Sequence, residues 1–206
     1  MNIEIKKSIK PVNYLDALKF LEKRVDEINK SEANELIWLL EHPSTFTAGT
    51  SFNESDILDK SIDIIKSSRG GKITWHGPGQ LICYLVINLN NRKRDIRKFV
   101  NIIENSIIFS LKSFGIHSYS DRKNIGNWTK SNNEDKKVGA IGIKVKKWIA
   151  YHGFSININN DISNYKKIIP CGIKDKGVTT LKKIDNQNYN KLSKEIIKNL
   201  IASLKI

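Results

Sequence analysis

The sequence predicts an α+β fold in which a mixed β-sheet is backed by helices. Three segments of the 206-residue chain repeat apolar residues at helical spacing, and four others have the apolar pattern of strands. Runs of strands with only a few helices between them are typical of this fold class. The chain contains no internal repeat and no linker-like segment, so residues 1–206 are expected to form one domain.

Each predicted helix has one apolar face. Asn13 is suited to cap the first helix, with Asp16 at the capping-box position, and the second helix opens at Asp95 and stops at Gly115. The apolar stripes are Leu15, Leu18, Leu21, Val25 and Ile28 in the first helix, Ile96, Phe99, Val100, Ile103, Ile107, Leu111 and Phe114 in the second, and Leu192, Ile196, Ile197, Leu200 and Leu204 in the third. These faces are expected to pack on the core.

Four strands are predicted, at residues 35–41, 82–89, 138–145 and 148–158. The last two are expected to form a hairpin joined by Lys146 and Lys147. The polar stretch 129–135 is predicted to be a loop within the domain.

Segment 69–80 has the most unusual composition, with four glycines, Pro78, His76 and Arg69. Glycine permits positive φ and close approach of a ligand to the backbone, while proline fixes one dihedral angle and removes a donor. The segment is therefore predicted to be a rigid, shaped loop between strands, and such loops commonly carry function. A hairpin connection rich in turn residues is the simpler alternative, but it does not account for the histidine and the arginine.

The chain is strongly basic, with 35 Lys and Arg residues against 21 acidic ones and a formal net charge of +14. This excess favours a nucleic acid, an anionic surface or an acidic protein as partner, and a solvated lysine-rich surface is the alternative. No apolar run approaches the roughly 20 residues of a membrane span, and the first residues lack the apolar core of a secretory signal. A cytoplasmic protein without a membrane partner is expected.

The two cysteines lie in different sequence contexts. Cys83 is inside an apolar run and is interpreted as a core residue. Cys171 ends an apolar stretch, at a turn before Gly172, and is a candidate nucleophile. Two cysteines far apart in a cytoplasmic chain do not indicate a disulfide.

A thiol needs a nearby cation or hydrogen bond to become the reactive thiolate. Lys137, His76 and His152 are candidates for that role, and the sequence does not choose among them. A zinc site built from the two histidines and the cysteine is disfavoured, because no two of these residues have a short metal-ligand spacing. His42 and His117 are interpreted as packed surface residues.

Five segments of the chain occur in an order that matches a known set of motifs. Segment 69–80 is similar to RGG-x-x-T-[YW]-HGPGQ. The others are similar to an EHP-x-x-x-T-x-G element (Glu41 to Gly49), a lysine strand (Lys137 to Gly142), an FHG-x-x-x-N strand (Tyr151 to Asn157) and a PCG turn (Pro170 to Gly172). On these motifs the chain resembles the lipoyl(octanoyl) transferase family. It departs from the pattern at Gly126-Asn127-Trp128, where the family usually has Gly-Val-Trp, and a longer polar loop follows there.

The resemblance implies a fold like that of the biotin and lipoate protein ligases, which are related to the class II aminoacyl-tRNA synthetases. It also implies a two-step acyl transfer in which Cys171 is the nucleophile and forms an acyl thioester. Lys137 would favour the thiolate and shuttle protons. Because neighbouring side chains of a strand point to opposite faces, only one of Lys136 and Lys137 can reach the site.

The resemblance further implies an acyl slot with backbone donors for the tetrahedral oxyanion. Its walls would be the glycine-rich loop, the turn at residues 140–142 and residues 153–155, that is, Arg69, Gly70, Gly71, Lys72, Ile73, Thr74, Trp75, His76, Ala140, Ile141, Gly142, Gly153, Phe154 and Ser155. No metal and no cofactor are expected. The implied donor is octanoyl acyl carrier protein, and the implied acceptors are the lipoyl domains of 2-oxoacid dehydrogenase E2 subunits and the glycine cleavage H protein.

Two other functions remain open at the level of sequence. An ATP-dependent lipoate or biotin protein ligase would share the fold and need no nucleophilic cysteine. A basic nucleic-acid-binding module would account for the charge, but the sequence has no clustered basic and aromatic groove to support it.

Overall fold

The computed structural model describes residues 2–131, 133–170 and 176–205. Eleven strands are present in this part of the chain. They are β1 (Ile3–Lys7), β2 (Glu35–Leu40), β3 (Thr45–Ala48), β4 (Ile64–Lys66), β5 (Ile73–His76), β6 (Gln80–Asn88), β7 (Tyr119–Ser120), β8 (Asn127–Ser131), β9 (Glu134–Lys146), β10 (Ile149–Asn157) and β11 (Gly177–Val178).

Four α-helices accompany the strands in the described residues. They are α1 (Tyr14–Asn29), α2 (Ile96–Lys112), α3 (Leu181–Ile184) and α4 (Leu192–Leu204). Short 3₁₀ turns lie at Glu54–Asp56, Leu89–Asn91 and Ile162–Lys167. None of the helices described is long and apolar enough to cross a membrane.

The centre of the fold is an eight-stranded mixed sheet with the order β1-β2-β6-β10-β9-β8-β7, in which β11 pairs with β9. The β1–β2 and β11–β9 pairs are parallel and the others are antiparallel. A second sheet of three strands has the order β4-β3-β5. The predicted α+β class, with a mixed sheet backed by helices, is confirmed.

Helices cover both faces of the large sheet. One face packs against α2 and α4 in a cluster that contains Ile37 and Leu85, and the other packs against α1 in a cluster that contains Leu36 and Tyr84. Because β2 and β6 are buried on both faces, they read in the sequence as continuous apolar runs. Cys83 is fully buried in the first cluster, so its interpretation as a core residue is confirmed.

The helix ends follow the capping residues that the sequence indicates. The Asn13 side chain accepts hydrogen bonds from the backbone N–H groups of Leu15 and Asp16 and caps α1. At the C-terminal end of α2, Gly115 has φ +74, and its backbone N–H donates to the carbonyl of Lys112. The backbone N–H of Ile116 donates to the carbonyl of Leu111, which completes a Schellman motif.

The apolar stripe predicted for α2 includes one residue that is not part of the helix. Phe114 lies beyond the last helical residue, because the chain turns at Gly115, and its ring contacts that of Tyr189 at a centroid distance of 5.6 Å. Ile96, at the start of the same stripe, is exposed, whereas Phe99, Ile103, Ile107 and Leu111 are buried.

The predicted hairpin is formed by β9 and β10, and Lys146 pairs with Ile149. The turn residues are therefore Lys147 and Trp148, one position later than predicted, with φ of +52° and +60°. Two successive left-handed residues define a type I′ turn, whose twist matches that of the strands that it joins.

Two segments predicted as loops contain strands. Residues 73–76 of the glycine-rich segment form β5, which pairs with β3, and most of the polar stretch 129–135 belongs to the paired strands β8 and β9. The second segment lacks an apolar pattern because this end of the hairpin exposes Lys130 and Glu134 to solvent.

Candidate active site

A cavity of about 390 Å³ lies where the glycine-rich segment crosses β9 and β10. Its walls contain nearly all of the residues that the sequence assigns to the acyl slot, namely Arg69, Gly70, Gly71, Lys72, Ile73, Thr74, His76, Ala140, Ile141, Gly142, Gly153, Phe154 and Ser155. Lys137 also lines the cavity. Segments that are far apart in the sequence therefore meet around one space.

Trp75 is the exception among these residues. Its ring packs in the core of the small sheet with Phe46 and Ile73, and its indole N–H donates to Ser44 Oγ at 3.0 Å. Because side chains alternate along a strand, Trp75 points away from the face that carries Thr74 and His76. Residues 140–142, predicted as a turn, are interior residues of β9.

Arg69 fastens the glycine-rich segment to the small sheet. Its Nη2 donates to the carbonyl of Thr47 at 2.8 Å and to Thr47 Oγ1 at 2.9 Å, and its Nη1 donates to the carbonyl of Gly70 at 3.1 Å. A Cβ atom on Gly70 would lie 2.8 Å from the carbonyl oxygen of Ile143, and one on Gly142 would lie 3.0 Å from the carbonyl oxygen of Gly70. These contacts require glycine, because the segment lies directly on β9.

Lys137 enters the cavity from β9 and is only 7% exposed. The pairing of β8 with β9 shifts register between Asn127 and Trp128, opposite this part of β9. Bulges of this kind re-aim side chains near functional sites. The Lys137 ammonium lies 5.2 Å from the centroid of the Trp128 ring, a cation–π contact. Lys136 instead forms an ion pair with Glu134 at 3.3 Å, at the partly exposed surface.

The assigned nucleophile Cys171 and its neighbour Gly172 lie outside the described residues. The chain on either side of them is anchored. Ile169 donates to the carbonyl of Asp56 at 2.7 Å. In β11, Val178 pairs with Lys137, and the next residue, Thr179, donates to the Lys137 carbonyl at 3.0 Å.

His76 is held by a buried hydrogen-bond network. Its Nδ1 contacts Gln80 Oε1 at 2.7 Å, and Gln80 Nε2 donates to Asn157 Oδ1 at 2.8 Å. Asn157 Nδ2 in turn donates to the carbonyl of Thr179 at 3.2 Å. Burial, followed by the charges of His42 and Arg69, lowers the pKa of His76 to about 3. The imidazole is therefore neutral near pH 7, and the network links the HGPGQ element to the chain that follows the PCG turn.

His152 is a strained residue in the cavity wall. It has φ +68, is 1% exposed and stacks on Tyr151, and neither ring nitrogen has a hydrogen-bond partner within the described chain. Burial, followed by the charges of Arg69 and Lys144, lowers its pKa to about 3. A left-handed histidine with unpaired nitrogens is the kind of strain that accumulates at functional sites.

His42 belongs to an aromatic cluster under the cavity. Its Nδ1 contacts the carbonyl of Val12 at 2.6 Å, and its Nε2 contacts Tyr84 Oη at 2.7 Å. Because a carbonyl only accepts, Nδ1 carries the proton, and Nε2 accepts from the tyrosine. Burial lowers the pKa of His42. Tyr84 and Tyr14 both line the cavity, and no motif in the sequence marks either of them. The one available signal is that Tyr14 directly follows the helix cap Asn13.

The charged side chains that line the cavity are all basic, namely Arg69, Lys72, Lys123 and Lys137, with no carboxylate among the lining residues described. Such a surface favours an anionic group or a thiolate. Nowhere in residues 2–131, 133–170 and 176–205 are three or more His, Cys, Asp or Glu side chains grouped to hold a metal ion.

The sequence of the chain was compared with those of known protein families. The chain matches the lipoyl protein ligase A/B catalytic domain over residues 13–204. It belongs to this family. The octanoyltransferase of Wolbachia sp. subsp. Brugia malayi is 44% identical over 174 residues, which cover 84% of this chain and 85% of the relative. That of Novosphingobium aromaticivorans is 41% identical over 180 residues, covering 87% and 81%. The family indicated by the sequence motifs is confirmed.

Solved structures of three protein ligases share the fold. The bi-partite lipoate protein ligase of Thermoplasma acidophilum superposes with a TM-score of 0.74 at 12% identity, covering 100% of this chain and 85% of that chain. Lipoate-protein ligase A bound with ATP gives 0.75 at 14% identity, covering 100% and 87%. The biotin protein ligase of Aquifex aeolicus gives 0.53 at 16% identity, covering 99% and 70%. The predicted ligase-like fold is confirmed.

Proposed function

We propose that this chain, an octanoyltransferase of the lipoyl protein ligase A/B family, passes the octanoyl group through a thioester on Cys171 during protein lipoylation. The observation that carries the proposal is the sequence identity of 41–44% to curated octanoyltransferases over most of both chains. The convergence of the predicted slot residues and Lys137 on one cavity supports it.

In the first half of the reaction, the Cys171 thiolate attacks the carbonyl carbon of an octanoyl thioester. A new carbon–sulfur bond forms, and the bond to the carrier sulfur breaks. The carrier thiolate leaves and takes the proton that Cys171 gave up. The products are an octanoyl-cysteine and a free carrier thiol.

In the second half, a lysine ε-amine of the acceptor protein attacks the same carbonyl carbon. A carbon–nitrogen bond forms, the bond to Cys171 breaks, and the proton lost by the amine returns to the cysteine sulfur. The product is an octanoyl amide, and the enzyme is regenerated. No nucleotide is consumed, because the thioester already activates the acyl group.

Lys137 is the proposed proton shuttle and the cation that favours the Cys171 thiolate. Its burial in the cavity wall supports this role, as does the pairing of β11, which begins six residues after Cys171, with the lysine strand. Backbone N–H groups of the glycine-rich segment are the proposed donors to the tetrahedral oxyanion.

The proposed donor is octanoyl acyl carrier protein, and the proposed acceptors are lipoyl domains of 2-oxoacid dehydrogenase E2 subunits and the glycine cleavage H protein. The solved ligase of Thermoplasma acidophilum is described as part of a lipoylation system that includes its E2 lipoyl domain. Acidic carrier proteins would suit a cavity whose charged lining residues are basic.

Intact-mass spectrometry after incubation with octanoyl acyl carrier protein tests the proposal. We expect one octanoyl adduct on the wild-type chain, no adduct on Cys171→Ser, and a retained adduct on the matched variant Cys83→Ser. The adduct should disappear when a lipoyl domain is added. An adduct that persists in Cys171→Ser would contradict the assignment. Octanoylation that instead requires ATP, with ATP–pyrophosphate exchange, would favour the ligase alternative.

A further inference from the structure

Glu104 is a buried carboxylate on α2 that the scheme above does not use. It is 6% exposed, and its Oε1 accepts a hydrogen bond from the backbone N–H of Gly126 at 3.0 Å. The backbone carbonyl of Glu104 accepts a second bond, from Asn127 Nδ2 at 3.2 Å. One residue of α2 therefore fixes two successive residues at the start of β8.

Gly126 lies directly on the end of the Lys137 side chain. It has φ +129, and a Cβ atom built there would lie 2.6 Å from Lys137 Cε and 3.2 Å from Lys137 Nζ. The next but one residue, Trp128, presents its ring to the same ammonium. The segment that Glu104 holds is thus the segment that packs around the Lys137 amine.

The charges around Glu104 are also arranged for an interaction with Lys137. The pKa of Glu104 is raised above its usual value by burial, and the hydrogen bond from Gly126 and the charge of Lys137 offset part of that rise. Lys176 lies 4.8 Å from the Trp128 ring centroid on the same indole and forms ion pairs with Asp121 and Asp135. Lys123 and Arg69 line the cavity together with Lys137.

We propose that Glu104 is a positioning residue for Lys137. Its carboxylate fixes Gly126 against the end of the lysine side chain and places an opposite charge near the Lys137 ammonium. The inference rests on the proposed role of Lys137 in acyl transfer and extends it to a residue outside the cavity wall.

The two contributions of Glu104 can be separated by substitution. Glu104→Gln keeps an oxygen that accepts from the Gly126 N–H but removes the charge, whereas Glu104→Ala removes both. Gly126→Ala leaves Glu104 in place, but its Cβ would lie 2.6 Å from both Lys137 Cε and the carbonyl oxygen of Gly139, so this variant crowds the lysine side chain and the β9 backbone together. Glu35→Gln is the matched control, because Glu35 is also a buried carboxylate, 7% exposed, but it pairs with Arg92 outside the cavity.

Two quantities are measured on the purified chain. The first is the pH dependence of the single-turnover rate at which the chain accepts an octanoyl group, and the second is the rate of alkylation of Cys171 by iodoacetamide. We expect the alkaline limb of the transfer profile to move to lower pH by on the order of one unit in Glu104→Gln. Glu104→Ala should show the same shift with a lower maximum rate, and Gly126→Ala should lower the rate and alter the profile. Glu35→Gln should keep the wild-type profile.

A wild-type profile in Glu104→Gln, combined with an altered profile in Lys137→Ala, would overturn the inference and leave the proposed function intact. If the profile of Lys137→Ala is also that of the wild type, the proposed role of Lys137 fails, and the role of Glu104 fails with it. The Cys171→Ser adduct test separates that result from a wrong nucleophile.

Discussion

Lys136 and Lys137 are adjacent in the chain but have different surroundings in β9. Lys137 is buried beside the Trp128 ring, and Lys136 is paired with Glu134 at the partly exposed surface. Replacing Lys137 with Ala should slow acyl transfer by roughly 10²–10⁴-fold, because general acid–base catalysis is lost. It should also move the alkylation profile of Cys171 to higher pH, because the nearby cation is removed.

Lys136→Ala is the matched control for this prediction. It removes the same ammonium group from the neighbouring position, so it should leave both the transfer rate and the alkylation profile unchanged. If the two variants behave alike, the cation that activates the thiol must come from elsewhere.

The buried histidines make the stability of the fold sensitive to acid. Burial lowers the pKa values of His76 and His152 to about 3, against roughly 6.5 in an unfolded chain. Between these values the unfolded state binds more protons than the native state. The free energy of unfolding should therefore fall as the pH drops below about 6.5, by up to ~1.4 kcal/mol per pH unit for each histidine.

Urea denaturation at several pH values from 7 to 4 measures this slope. His76→Gln should reduce the slope, because one of the three buried histidines with a lowered pKa, His42, His76 and His152, no longer titrates. His117→Gln, at an exposed position, is the control and should leave the slope unchanged. Equal slopes in wild type and His76→Gln would contradict the burial argument.

The helices of this fold end where their sequence signals place them, and α2 shows what those signals contribute. At Gly115 the backbone has φ +74, and a Cβ atom there would meet nothing within 4 Å. Gly115→Ala should therefore lower the free energy of unfolding by about 1 kcal/mol through backbone strain alone. Gly115→Asn should lower it less, because asparagine tolerates the left-handed region better. Chemical denaturation measures the change in the free energy of unfolding for each variant. No change in Gly115→Ala would mean that the turn accepts a side chain without strain.

The long elements could be predicted from the sequence, and the short strands could not. The apolar stripe of α2 and the runs of β2 and β6 are long enough to specify their type. Strands of two to four residues, such as β7 and β11, are too short to show a period, and they form because longer neighbours offer free edges. The polar hairpin of β8 and β9 was missed because solvent-exposed strand ends carry no apolar signal.

Only the part of the candidate site that belongs to sequence motifs could be predicted. The glycine-rich segment, the lysine strand and residues 153–155 were identified from the sequence, and they line one cavity. The direction of the Trp75 side chain depends on where β5 begins, which the sequence does not specify. The contact between Glu104 and Gly126 joins α2 to the residue before β8 across 22 residues of sequence. Glu104 belongs to none of the motifs, and Gly126 lies in the Gly-Asn-Trp segment where the chain departs from the family pattern.

At the scale of the whole molecule, the charge of +14 is expected to act on association. Raising the salt concentration should lower kcat/KM for acidic carrier proteins and change kcat much less, because screening weakens long-range attraction. Lys123→Glu at the cavity should lower kcat/KM at low salt, whereas Lys194→Glu, an exposed lysine of α4 away from the cavity, should do so much less. If kcat/KM does not depend on ionic strength, the lysines form a solvated surface that does not attract the carrier proteins.

The arrangement of β9 restricts which changes of chain length the protein can accept. A single strand carries the Lys137 amine, the Gly142 contact with the glycine-rich segment and the residue paired with His152. One residue inserted or deleted between positions 137 and 143 would turn every following side chain to the opposite face of the sheet. Substitutions should therefore be tolerated there far more readily than changes of length, and natural length variants should gather at the β8–β9 connection, where the strand ends at Lys130 and Glu134 are exposed to solvent.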